Sequence, residues 1–309
     1  MISARGLSRS FHGTPAVEDL TFDVPEGRLF ALLGPNGAGK TTTVRMLMGL
    51  IGPTAGDATV AGHPIGVGRG TDPALRASCG LLTESPGFYD RLSAWANLRF
   101  FGRLYGLDEA TLPARLERHL RLMDLWDRRD SLVGSYSKGM KQRLAIIRAV
   151  FHDPRVVFLD EPTAGLDPEA SLVVRDLIGR LKSEGHTIVV CTHNLDEAER
   201  LADIVGILKR RLLVVGGMER LRAGDGVGTR VHVSLDGPAD GLARGAAGLG
   251  FLGEVHGAGT QLRVTVTDVR VDTPRLVAWL VGQGAGIVEV RTEVESLESI
   301  YLRHMRDDA

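Results

Sequence analysis

Three short stretches of this 309-residue chain combine residue types that could handle a phosphorylated ligand. The first, Gly34-Pro35-Asn36-Gly37-Ala38-Gly39-Lys40-Thr41, fits the pattern G-x-x-x-x-G-K-[ST] between an apolar run and a helical pattern. Its glycines let backbone N–H groups converge on phosphate oxygens, and the start of the helix adds partial positive charge. Lys40 would neutralise β- and γ-phosphates, the Thr41 hydroxyl would bind Mg²⁺, and Thr42 belongs to the same binding turn. A Gly-rich turn with no ligand is the plain alternative, and the flanking strand and helix patterns count against it. In the second stretch, Val156-Val-Phe-Leu-Asp160-Glu161-Pro162, an apolar strand ends on two adjacent carboxylates. Asp160 could hold Mg²⁺, and Glu161 could orient and deprotonate an attacking water. The third, Ser135-Tyr-Ser137-Lys-Gly139-Met-Lys-Gln-Arg-Leu144, opens a helix with a hydroxyl and a glycine. An ordinary Ser cap would look the same. The same physics also makes Ser137 and Gly139 a second γ-phosphate contact.

The elements that must position these residues alternate. Residues 1–33 read as β-rich, with Arg28–Leu33 a buried strand, and a helix runs from near Gly39 to Leu50. From Ser93 to about Phe151 the pattern is helical, with Trp95, Leu98, Phe101 and Leu104 on one face and Leu116, Leu120 and Met123 on another. Strand Arg155–Leu159, helix Pro168–Lys182, strand His186–Thr192, helix Asn194–Leu201 and a hairpin over Ile204–Val215 follow. The pattern predicts an α/β core with a helical insertion. A Gly-rich stretch, Ala223–Gly228, reads as a linker to a second, smaller α+β domain. There the order β-α-β-β-α-β, with a helix over Thr273–Gln283 capped by Thr273, matches the ferredoxin-like split unit. The expected domains are 1–222, with the helical subdomain at about 88–152, and 229–309.

With these motifs in this order, residues 2 to about 220 resemble the ATPase subunit of an ATP-binding cassette (ABC) transporter, a P-loop α/β fold. The signature takes the form Tyr136-Ser-Lys-Gly-Met140. The resemblance implies ATP and Mg²⁺ as ligands. It makes Glu161 the catalytic base and His193 the switch residue that senses γ-phosphate. Asp167, in Ala164-Gly-Leu-Asp167, falls in the loop that communicates between two sites, and Phe11 takes the place of the aromatic that stacks on adenine. Glu84 stands where the family usually has Gln, and could still offer an oxygen to Mg²⁺ and couple the metal to the membrane-facing loop. In the family, the signature of one subunit caps the ATP held by another. One copy of each motif therefore implies a homodimer or a pair with a related ATPase subunit. The variant signature, Glu84, Gly87–Leu92 and the ending Ser296–Leu302 resemble the drug- and antibiotic-exporter branch, in which the permease is a separate transmembrane chain.

Composition fits an ordinary globular protein, with 43% hydrophobic and 24% charged residues and a formal net charge of −1. That balance gives no electrostatic reason to expect nucleic acid. Cys79 and Cys191, flanked by apolar residues, read as core thiols. No apolar run approaches the roughly 20 residues of a spanning helix. The expectation is a cytoplasmic chain held at the inner face of the cell membrane by its permease. A mechanical ATPase of the same family, acting on a non-membrane partner, is the alternative.

Overall fold

Residues 1–69, 72–83, 87–223, 228–293 and 295–307 are described by the structure, a computed structural model of the chain. They divide into two compact units, one formed by residues from Met1 to Met218 with those from His304 onward, the other by Glu219–Arg303.

The first unit opens with an antiparallel hairpin, β1 (Ile2–Phe11) and β2 (Thr14–Val24). β3 (Leu29–Leu33) is buried at every position, as an unbroken apolar run requires, and α1 (Lys40–Leu47) begins directly after Gly39. β4 (Ala55–Val60), β5 (His63–Gly66), α2 (Pro73–Ala77) and β6 (Cys79–Leu82) lead to the helical insertion. The insertion comprises α3 (Ala94–Leu104), α4 (Leu112–Leu122) and α5 (Lys138–Val150). The alternation then resumes with β7 (Val156–Asp160), α6 (Pro168–Ser183), β8 (Thr187–Thr192), α7 (Leu195–Leu201), β9 (Ile204–Lys209) and β10 (Arg211–Gly217).

Two sheets result. One is antiparallel, in the order β2-β1-β4-β5; the other runs β10-β9-β3-β8-β7-β6, parallel throughout except for β10. The parallel sheet is buried on both faces because successive side chains point opposite ways. Phe30, Leu32, Phe158 and Cys191 pack against the antiparallel sheet, where Phe22 and Phe30 stack at 5.0 Å. Leu29, Val157, Leu159, Ile188 and Val190 pack against the helices through Leu144, Ile147, Val174 and Ile178. Register places Leu33 beside Thr192 and Asp160 beside Cys191, so β3, β7 and β8 end along one edge. Ligands of open α/β sheets bind at such a carboxyl edge.

Within the insertion, Leu98, Leu116, Leu120 and Met123 are buried as their spacing predicts. Leu104 is not. It is 68% exposed, because a repeat of three residues drifts around a helix of 3.6 per turn.

α8 (Met218–Ala223) crosses the unit boundary. The second unit then runs β11 (Thr229–Leu235), α9 (Asp240–Ala246), β12 (Leu252–Ala258), β13 (Gln261–Val266), α10 (Val269–Gly282) and β14 (Ile287–Glu293), before α11 (Leu297–Asp307). Sheet order β12-β13-β11-β14, antiparallel throughout, is that of the split β-α-β-β-α-β unit. The start of α10 differs from the sequence expectation. Asp268, not Thr273, is the cap: its carboxylate accepts from the N–H groups of Arg270 and Val271, while Asp272 accepts from the Asp268 N–H at 3.0 Å. This reciprocal cap starts the helix early and leaves Pro274 inside it.

Candidate nucleotide site

The loop from Gly34 to Gly39 leaves the carboxyl end of β3 and turns into α1. Gly37 and Gly39 have φ of 80° and 104°, conformations that favour glycine. Gly34 and Gly39 are also sterically required. A Cβ on Gly34 would lie 2.3 Å from the Leu208 carbonyl oxygen, and one on Gly39 would lie 2.7 Å from that of Ala16. The backbone thus curls around a cavity of about 330 Å³, bounded by Ala16, residues 35–42, Asp160 and Glu161. Lys40 is buried, and its Nζ donates to the carbonyls of Gly34 (2.6 Å) and Pro35 (3.2 Å). A flexible ammonium at the start of a helix gives this cavity the sign that suits an anion.

On the far side, the Thr41 hydroxyl donates to Asp160 Oδ2 at 2.7 Å. The two hard oxygen donors, from the first turn of α1 and a buried strand end, fit the chemistry Mg²⁺ requires. Glu84, the third residue assigned to the metal, lies outside the described residues.

Glu161 adopts φ 51°, sparse for a residue with a side chain, and its N–H donates to the Cys191 carbonyl at 2.8 Å. Its carboxylate is held from two directions: His193 Nδ1 lies 2.8 Å from Oε1, and the Thr192 hydroxyl donates to Oε2 at 3.4 Å. Parallel pairing of β7 with β8 brings these residues together across 31–32 positions of sequence. His193 is two-thirds exposed, so it can meet both Glu161 and a ligand.

Two buried residues that the motifs did not flag support this centre. Gln142, on α5, donates to the carbonyls of Glu161 (3.3 Å) and Pro162 (3.1 Å), tying α5 to the loop after β7. Glu197, on α7 and 1% exposed, accepts from the hydroxyls of Thr163 (3.2 Å) and Thr192 (3.3 Å). Burial raises its carboxyl above the usual range, and the two hydroxyls oppose that only in part. Thr192 therefore lies between two carboxylates, Glu161 and Glu197. A third support is the β9–β10 turn. Arg210 donates its N–H to the Ala38 carbonyl at 2.9 Å, and a neighbouring cleft of about 470 Å³ is lined by Glu18, Lys209, Arg210, Arg211 and residues 35–38.

Other assigned residues lie elsewhere. Ser137 caps α5 by accepting from the Met140 N–H at 3.2 Å, and Asp167 caps α6 by accepting from the Ala170 N–H at 2.8 Å. Both are exposed, and neither they nor Gly139 line the cavity. Lys138 folds onto Gly165, its Nζ 2.5 Å from where a Cβ would sit, which joins the signature to the loop before Asp167. Phe11 ends β1 at 40% exposure with the Arg9 guanidinium 4.7 Å above its ring. It too is outside the cavity lining, which Ala16 enters instead.

Comparison with known proteins agrees with this geometry. The ABC transporter family model matches residues 17–164. The chain is 37% identical over 208 residues to the Nod factor export ATP-binding protein I of Cupriavidus pinatubonensis, a match covering 67% of this chain and 63% of that relative. It is 37% identical over 226 residues to the ABC transporter ATP-binding protein NatA of Bacillus subtilis, covering 72% of this chain and 91% of NatA. A solved structure of an ATP-binding subunit of an ABC transporter superposes with a TM-score of 0.66 at 34% identity, over 72% of this chain and 92% of that one. A phosphate loop, a paired carboxylate and a capped signature helix on this fold, together with these relatives, place the chain in the ABC transporter family, as an ATP-binding subunit and ATPase.

Proposed function

We propose that the chain powers export by a separate transmembrane permease, two ATPase subunits closing on ATP and Mg²⁺ at the cytoplasmic face of the membrane. One observation carries this reading: Ser137 and Gly139 form a phosphate-ready helix start that does not line the chain's own cavity. A second subunit, identical or related, completes the site. Closure brings its signature over the γ-phosphate, and hydrolysis releases it. Relatives named for Nod factor export support the direction of transport.

In this site Lys40 exchanges its two backbone acceptors for phosphate oxygens. Glu161, oriented by His193 and Thr192, takes the proton of the attacking water. Thr41 and Asp160 would hold Mg²⁺, whose charge, when bound, offsets that of the phosphate oxygens. Glu84 would add an oxygen to the metal and couple it to the permease-facing segment, Asp167 would communicate between the two sites, and Phe11 would stack on adenine. Residues 1–222 form the ATPase domain, with the helical subdomain at about 88–152, and residues 229–309 form an accessory domain, although residues from His304 onward group with the first compact unit. Among the described residues no helix is long and apolar enough to cross a membrane.

Affinity capture of the full chain from detergent-solubilised membranes tests the partner. Co-purification of a polytopic membrane protein is expected. Recovery of ribosomes or nucleic acid alone would overturn the transporter reading.

A further inference from the structure

The second unit covers one face of its sheet with helices and leaves the other open. Val231, Val233, Leu235, Leu262, Val264 and Val266 point to the helix side and pack with Leu276 and Leu280. Alternation sends the intervening residues to the open face. Register then lines up a row that the sequence hides. His256 on β12 pairs with Arg263 on β13, Arg263 with His232 on β11, and His232 with Arg291 on β14. One row thus crosses all four strands on basic side chains alone, with Arg230 one step along β11 on the same face.

Register sets an arginine against a histidine at each of the three steps, so neither of the favourable cross-strand pairings of a sheet, apolar or opposite-charge, is made along this row. Arg291 has a local partner in Glu289 at 2.9 Å, but both are largely exposed and such a pair contributes little. Glu254 reaches His256 only at 3.9 Å. Among the described residues Arg263 forms no salt bridge, while register sets Arg230 against Glu293. Arg230, His232, His256 and Arg263 line a cleft of about 380 Å³ with Thr265 and Glu254. Neighbouring strands are about 4.8 Å apart, so the row of arginine and histidine extends over roughly 14 Å, with a hydroxyl beside it.

We propose that this face binds a small, soluble polyanion carrying several linked phosphate groups, laid across the strands from Arg263 to Arg291. Guanidinium forks suit phosphate oxygens, and a linear anion meets a linear row. The open face presents no Phe, Tyr or Trp from its strands, so base stacking would have only the two histidines as a platform.

The test uses the full chain carrying Lys40→Ala, which removes the phosphate-loop lysine, and inorganic tripolyphosphate as the probe in isothermal titration calorimetry. Binding is expected, and the added pair Arg263→Gln and Arg291→Gln should weaken it at least about tenfold. Arg244→Gln, an exposed arginine on α9, should leave it unchanged. Both arginines of the pair are exposed, so the double variant should fold. In the chain with Lys40 intact it should also keep basal ATPase activity, which separates failure of this site from failure of the nucleotide site. The proposal is overturned if tripolyphosphate does not bind, if the double variant binds it equally well, or if only anionic lipid vesicles or an oligoglutamate peptide are retained.

Discussion

The three glycines of the phosphate loop differ in what they do, and alanine at each should separate the effects. Gly37 has φ 80° but open space around a would-be Cβ, so Gly37→Ala meets only the left-handed backbone, about 1–2 kcal/mol. Gly39 has φ 104° and would also press on the Ala16 oxygen and Val17 Cγ2, both at 2.7 Å. Overpacking of that kind costs a further ~1–3 kcal/mol, which makes Gly39→Ala about 2–5 kcal/mol destabilising. Gly34 lacks the positive φ, but its Cβ would lie 2.3 Å from the Leu208 oxygen, and backbone cannot rotate away as a side chain does. Gly34→Ala should therefore cost at least the upper part of the overpacking range, about 3 kcal/mol. Calorimetry of the full chain supplies the assay, read on the transition that ATP shifts upward, since ligand stabilises only the unit that binds it. At roughly 2–4 °C per kcal/mol, Gly37→Ala should lower that transition by a few degrees and the other two by clearly more. Equal shifts for Gly37→Ala and Gly39→Ala, or a neutral Gly34→Ala, would refute the claim that close approach to β2 and β9 shapes the loop.

Thr41→Val removes one hydrogen bond from the nearly buried Asp160 carboxylate. It should cost about 1.5–3 kcal/mol in the same assay and raise the Mg²⁺ concentration needed for turnover. Glu197 is buried with its carboxyl raised, so the unfolded chain loses this proton at lower pH than the folded one. Stability from this residue is then fully present below the ordinary glutamate value of 4.5 and falls as pH rises toward the folded value. Glu197→Gln should flatten that slope in pH-dependent urea unfolding, and an unchanged slope would remove Glu197 from the account. Cys79 is buried with its thiol pushed up to about 12, and burial likewise raises Cys191. Neither should react with iodoacetamide at pH 8 until the chain unfolds, so rapid labelling of the native protein would contradict their placement.

How far the sequence reaches depends on whether a feature is local. The phosphate loop, the Asp160–Glu161 pair and the Ser137 cap are contiguous, with chemistry stated by neighbours in sequence. The strand and helix order of the second unit was legible from alternation for the same reason. Glu197 and Gln142 were not. Each is one polar residue on a helix, and only the folded chain gives it Thr192 or the Glu161 carbonyl as a partner. The α10 cap was misplaced because Thr273-Pro274 imitates a helix start, while Asp268 caps the N–H groups of Arg270 and Val271 and Asp272 reaches back to the Asp268 N–H. The basic row of the second sheet is a property of register, which period alone does not set.

Glu161→Gln offers the most direct test of the two-subunit site. It removes the base while leaving the phosphate loop, Ser137 and Gly139 in place. With MgATP the variant should run as a stable pair of ATPase subunits in sedimentation velocity, retain unhydrolysed ATP, and fall back to single chains when ATP is withdrawn. Hydrolysis at the unaltered rate, or single chains at saturating MgATP, would contradict the account.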